Sequence, residues 1–106
     1  MRIKRNEFRK NNTKKYKGHP TYIYAQIGDE FLFVGITHSE ITNGVKNIKL
    51  DKNPNPKDKK NAYFRPFTDK MGKSSFGKKL KGWTISENDK NKIKKWRMAP
   101  RNLIRT

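Results

Sequence analysis

The sequence predicts a mainly β domain with one C-terminal helix, spanning residues 18–106 and preceded by a flexible basic arm over residues 1–17. Three observations carry that expectation. Residues 21–27 and 31–37 are two runs rich in β-branched and aromatic side chains, separated by Gly28-Asp29-Glu30, which is the pattern of a β-hairpin. Ser86-Glu87-Asn88-Asp89 matches a helix capping box and precedes Ile93 and Trp96 at three-residue spacing. Residues 1–17 hold eight Lys and Arg against a single acid, Glu7, and show no apolar period despite Ile3 and Phe8.

The hairpin is where the core has to start, because no other stretch is as dense in apolar residues. In its second run Phe31, Phe33, Gly35 and Thr37 point one way and Leu32, Val34 and Ile36 the other, so both faces are apolar and the strand is expected to be central. After it, residues 40–44 read as a turn and residues 45–50 as a third strand. Residues 51–61, DKNPNPKDKKN, read as a loop, since two Asn-Pro pairs disfavour helix and remove two ladder donors. Residues 62–67 suggest a short fourth strand with Pro66 at its edge, and residues 68–77 a further loop. Leu80 and Trp83 are placed to cover the sheet. The helix then runs from Ser86, with acids in its first turn and Lys94, Lys95 and Arg97 near its end, until Pro100 stops it. A small barrel needs most of the aromatic rings for its core, and Tyr22 and Tyr24 are the two assigned to the surface as stacking groups.

Composition narrows the function. Apolar residues make up 31% of the chain and charged ones 34%, so the core is modest and the apolar residues must be clustered. The 27 Lys and Arg outnumber 9 acids for a formal charge of +18, and a positive field of that strength on so small a surface attracts polyanions. Nucleic acid is the expected partner. The absence of cysteine removes disulfides, Cys-based zinc sites and thiol nucleophiles, and suits a reducing cytoplasm. The longest unbroken apolar run is residues 31–34, which argues against secretion and membrane spanning. The sequence has no P-loop, dinucleotide-binding glycine loop, HExxH, EF-hand loop or GxSxG, and its acids are scattered, so neither a metal nor another cofactor is expected.

Chemistry is best sought at one rim of the hairpin. His19 precedes its first strand, Thr37, His38 and Ser39 end its second, and the turn folds the two ends together. Cleaving RNA without a metal needs a group to take the 2′-hydroxyl proton, a group to protonate the leaving 5′-oxygen and a cation at the phosphate. Histidine suits either proton task, and Arg65 or a loop lysine is placed to supply the charge; His19, Thr37 and Arg65 are the catalytic candidates. Arg5, Arg9, Lys10, Lys14, Lys15 and Lys17 on the arm, His38 and Ser39 at the rim, and Lys57, Lys59 and Lys60 in the loop are the candidate nucleic-acid contacts. The structural alternative is that His19 caps a strand and that Thr37 and Ser39 make turn hydrogen bonds.

Gly18-His19-Pro20 before an apolar strand, Gly35-Ile36-Thr37-His38-Ser39 closing the next, and Lys79-Leu80-Lys81-Gly82-Trp83 before the capped helix together resemble the PemK/MazF toxin family over residues 18–98. The resemblance implies an SH3-like β-barrel with helices, a homodimer, metal-independent cleavage of single-stranded RNA, and an acidic antitoxin as partner. It places His19 at the family's catalytic arginine and Thr37 at its catalytic threonine or serine. Gly35 stands where proline is usual and His38 where serine is usual, and the basic arm occupies the place of the family's first strand. The alternatives are a non-catalytic basic nucleic-acid-binding module and a protein-binding accessory factor.

Overall fold

Two residues, Gly28 and Asp29, are enough to reverse the chain at the hairpin, because Gly28 takes φ +59° at the first central position of the turn, which favours glycine. The structure is a computed structural model that describes residues 2–97 and 104–105. In chain order it forms strands β1 (Glu7–Asn11), β2 (Pro20–Ile27), β3 (Glu30–Thr37), β4 (Ile41–Thr42), β5 (Val45–Lys46), β6 (Ile48–Lys49), β7 (Tyr63–Phe64), β8 (Thr68–Gly72) and β9 (Phe76–Lys79), then helix α1 (Glu87–Arg97) and strand β10 (Ile104–Arg105). The class is mainly β with one C-terminal helix. The main sheet has the order β10-β8-β3-β2-β1-β9 with β7 and β6 branching from β3, and it does not close into a barrel.

Strand β3 is central, as its two apolar faces require. Phe31 and Phe33 join Ile3, Ile23 and Phe76 in a core on one side of the sheet, with Tyr16 and Met71 packed against it. Val34 and Ile36 join Phe8, Tyr22, Tyr24, Leu50, Phe64 and Ile93 on the other. The free edge of β3 is shared between two partners: Glu30 to Phe33 pair with β8, and Ile36 and Thr37 pair with β7. At the fork between them lies Gly35, whose carbonyl accepts from the Arg65 backbone N–H at 2.9 Å.

Several expectations change. The segment expected to be a flexible arm instead contributes β1, which pairs with β2 on one side and β9 on the other and buries Phe8 to 2% exposure. Ile3 and Tyr16 pack on the opposite face, so this basic segment serves both cores. Its polar side chains are buried because they satisfy one another. Arg9 donates to Glu7 at 2.8 Å, to the Gly77 carbonyl at 3.0 Å and to the Arg2 carbonyl at 2.9 Å. Burial pushes the Glu7 carboxyl up, and Arg9, the Lys4 backbone and Lys79 together outweigh it and hold the group below its ordinary range.

Tyr22 and Tyr24 are buried rather than surface rings, because they share one face of β2 and that face is covered by Phe8 of β1 and Ile93 of α1, while Ile23 between them enters the opposite core. Their hydroxyls find Asn6 and Thr68. The single third strand is broken at Asn47 into β5 and β6, and β4 and β5 form a small hairpin at Asn43-Gly44, where both residues have positive φ. The loop expected over residues 68–77 contains β8 and the start of β9. The fourth strand is shorter than expected, with only Tyr63 and Phe64 paired. Helix α1 begins as expected: Ser86 Oγ accepts from the Asp89 backbone N–H, and Ile93 and Trp96 pack onto the sheet. Asp89 turns its own carboxylate outward from the cap to accept from the Asp51 and Lys52 backbone N–H groups, clamping the 51–61 loop to the helix. Pro100, expected to end the helix, lies outside the described residues.

Because β1 is built into the sheet, deleting residues 1–17 is expected to unfold the domain rather than trim it. Phe8→Ala should cost about 3–5 kcal/mol, whereas Lys10→Ala on the exposed side of the same strand should stay within about 0.5 kcal/mol. Urea unfolding of both variants checks this, and an unchanged midpoint for Phe8→Ala would return residues 1–17 to the status of an arm.

Candidate functional site

Pairing in the β2–β3 hairpin sets Thr21 opposite Gly35, and the same antiparallel register carried two residues further sets His19 opposite Thr37. His19 is fixed there by its backbone, since its N–H donates to the Tyr16 carbonyl at 2.8 Å and its own carbonyl accepts from Asn11 at 3.1 Å. Gly18, at φ +81°, makes the bend that delivers it. The imidazole is exposed.

Two clefts meet at this ridge. The first, of about 410 Å³, is lined by His19, Thr37 and Ser39 together with Lys15, Tyr16 and Arg65. The second, of about 270 Å³, shares His19, Thr37 and Ser39 and continues to Pro20, Ala62 and Trp83. The three catalytic candidates are therefore brought to one cleft, which local sequence separation gave no means of seeing for Arg65. Gly35 makes room for it. A Cβ there would sit 3.2 Å from Arg65 Cγ and 3.3 Å from Tyr16 Cε1, so a side chain at this position would press both of them back from the strand by a few tenths of an ångström.

Arg65 reaches the cleft already oriented. Its Nη1 donates to Asn47 Oδ1 at 2.9 Å, and its guanidinium lies 5.4 Å from the Phe67 ring. Asn47 is 3% exposed and is the joint of the β4–β5 hairpin: its amide donates to the Ser39 carbonyl and Thr42 Oγ1, both at 2.9 Å, and its backbone N–H to the Glu40 carbonyl. The hairpin thus hangs over the cleft, contributing Thr42 and Asn43 to its lining. On the facing wall Tyr16 is held at both ends, by its hydroxyl donating to fully buried Asp69 and by an edge contact of its ring with Phe33 at 5.3 Å. Lys15 is paired with the same carboxylate at 3.1 Å while its side chain stays 41% exposed. Tyr16 and Asn47 were not legible as site residues. An Asn-Gly turn just upstream was the available signal for Asn47, whose role rests on contacts from four separate positions.

The other rim residues behave differently. Thr37 Oγ1 accepts from the Ser39 backbone N–H at 3.1 Å, the turn hydrogen bond that the structural alternative anticipated. His38 Nε2 lies 2.6 Å from Asp58 Oδ2. The Lys60 backbone N–H, and then His38, hold the Asp58 carboxyl below its ordinary range. That contact fastens the 51–61 loop beside the ridge, and Lys57, Lys59 and Lys60 are exposed on it. Of the candidate contacts in the basic segment, Lys10, Lys14 and Lys17 are exposed, Arg5 lies in a separate cleft with Lys90 and Lys94 of α1, and Arg9 is withdrawn. At 5% exposure, with three donations inside the protein, Arg9 is a structural residue and not a phosphate contact.

Among the described residues no three His, Asp or Glu side chains converge into a metal-binding group, and no helix is long and apolar enough to cross a membrane. No protein-family model matches the chain, and no curated protein matches it.

Asn47→Ala is expected to cost about 1–3 kcal/mol, because it strips an acceptor from Arg65 and a donor from the Ser39 carbonyl in a buried position. Amide exchange should quicken over residues 41–46 while the β2–β3 amides keep their relative protection. Uniform exchange changes across the sheet would show that Asn47 is not the joint of the hairpin.

Proposed function

We propose that this protein binds single-stranded RNA and cleaves it without a metal at the His19–Thr37 ridge, as a PemK/MazF-like endoribonuclease. The observation that carries the reading is the convergence of His19, Thr37 and Arg65 on one open cleft, with Lys15 on its wall and a net charge of +18 to draw in the strand. The topology adds support, since β1 precedes the Gly18-His19-Pro20 turn and pairs with β2, in the place where the resemblance calls for a first strand.

In this reading His19 takes the proton from the 2′-hydroxyl, the O2′–P bond forms as the P–O5′ bond breaks, and the leaving 5′-oxygen takes its proton from water in the open cleft. The products are a 2′,3′-cyclic phosphate and a 5′-hydroxyl. Thr37 contacts the phosphate through its hydroxyl, and Arg65 stabilises the charge that develops on the non-bridging oxygens. A homodimer and an acidic antitoxin remain part of the proposal through the resemblance alone.

A second reading, a basic nucleic-acid-binding module without catalysis, is favoured by one specific observation: Thr37 and Arg65 both already hold structural hydrogen bonds. One assay separates the two. Labelled single-stranded RNA in EDTA should be cut, a single 2′-deoxy substitution at the cleaved position should stop the cut, and His19→Ala should lower the rate by about 10²- to 10⁴-fold with little change in binding. Binding without cleavage by the wild type selects the module. Both readings expect a steep salt dependence, with affinity falling on the order of 10³- to 10⁵-fold between roughly 50 and 200 mM salt if about 6 to 10 phosphates are engaged. Absent or salt-insensitive binding would discard both and leave a protein-binding accessory factor.

A further inference from the structure

The two clefts that meet at the ridge differ in character. The first carries the cations, Lys15 and Arg65. The second is walled by Trp83, Pro20, Ile36 and Ala62; of its polar lining, His19, Thr37 and Ser39 belong to the ridge shared with the first cleft, and Asn53 and His38 are committed elsewhere. Asn53 donates to the Lys60 carbonyl and accepts from the Asn55 backbone N–H, while His38 is paired with Asp58. Such a cleft has a ring and an apolar wall to offer, with few groups aimed at hydrogen-bonding edges.

Trp83 is held in place from both sides. Its ring rests against Phe8 at 5.7 Å, its backbone N–H donates to the Leu80 carbonyl, and the next N–H, of Thr84, donates to the Pro54 carbonyl at 3.0 Å. Gly82 takes φ +81° in the turn that presents it. The ring is only half-buried; Lys81 is exposed in the same turn, and Lys57, Lys59 and Lys60 are exposed on the loop that Asp58 fastens to His38.

We infer that the Trp83 cleft is a nucleobase subsite: one unpaired base of a single strand stacks on the indole while the adjoining phosphate lies across the His19–Thr37 ridge toward Lys15 and Arg65. This deepens the RNA-cleaving reading and rests on it for the position of the phosphate. Stacking on a ring accepts every base, because each has a π-face, so the subsite distinguishes unpaired from paired strands more than one base from another. A duplex, whose bases are already stacked and paired, cannot fill it.

The chain has two tryptophans, so Trp96→Phe leaves Trp83 as the sole reporter. A short single-stranded 2′-deoxy oligonucleotide, which cannot be cut by 2′-hydroxyl attack, should quench its fluorescence, whereas an abasic strand of equal length and the matching duplex should bind at low salt without the same quench. Trp83→Ala should weaken binding of the oligonucleotide by roughly 5- to 100-fold, and Trp83→Phe should restore most of it. Should Trp83→Ala fail to fold because it supports Phe8, the fluorescence comparison alone decides. Equal response to the abasic strand, or no response to any strand, overturns the inference. The cleavage assay keeps the two failures apart: RNA cut without a Trp83 response leaves the endonuclease reading standing and removes the subsite, and a Trp83 response without cleavage does the reverse.

Discussion

With fewer than a third of its residues apolar, this chain has to bury both faces of one strand to make a core at all, and the rest of the architecture depends on that constraint. Strand β3 is the strand in question. Phe31 and Phe33 seed one core and Val34 and Ile36 the other, so every other element is there to cover a face or pair an edge. Helix α1 covers one side, while Ile3, Tyr16 and Phe76 cover the other. Because β3 is longer than any single partner on its free edge, two partners share it, and the gap between them at Gly35 opens the cleft.

Buried polar clamps make up for what the apolar core lacks. Glu7 and Arg9 tie β1 to the start of β9, Asp69 holds Tyr16 and Lys15, Asp89 fastens the 51–61 loop to the helix, and Asn47 fixes the β4–β5 hairpin. Each of these buried groups has several partners, the condition under which a buried polar group is tolerated. Using a few acids in this way leaves the great excess of Lys and Arg on the surface. The same economy that lets a chain this polar fold also makes it strongly basic outside, and a basic outside is what a nucleic-acid ligand meets first.

The ridge between the clefts joins these two themes. His19 and Thr37 are neighbours because of β2–β3 register, Arg65 arrives through β7 and its backbone bond to Gly35, and the lysine-bearing loop is brought alongside by the His38–Asp58 contact. Four separate parts of the chain thus meet around one exposed imidazole. Cations lie on one flank of this ridge and an aromatic ring on the other, the arrangement on which the proposed binding of an unpaired strand rests.

The amino-acid sequence by itself determined the hairpin, the centrality of β3, the loop at the two Asn-Pro pairs, the capped start of α1 and the meeting of His19 with Thr37. These are local or nearest-neighbour properties, set by side-chain alternation, turn chemistry and capping, and they survive in any context that buries the same residues. The fate of residues 1–17, the burial of Tyr22 and Tyr24, the strand at Thr68–Gly72 and the arrival of Arg65, Tyr16 and Trp83 around the ridge were settled only in three dimensions. The physical reason is the same in each case. A segment as charged as EFRKN becomes a buried strand only when Glu7, Arg9 and Asn11 find partners far along the chain, and no periodicity in the segment records those partners. Likewise Thr68–Gly72 has little β-propensity of its own and is a strand because the edge of β3 was waiting for one.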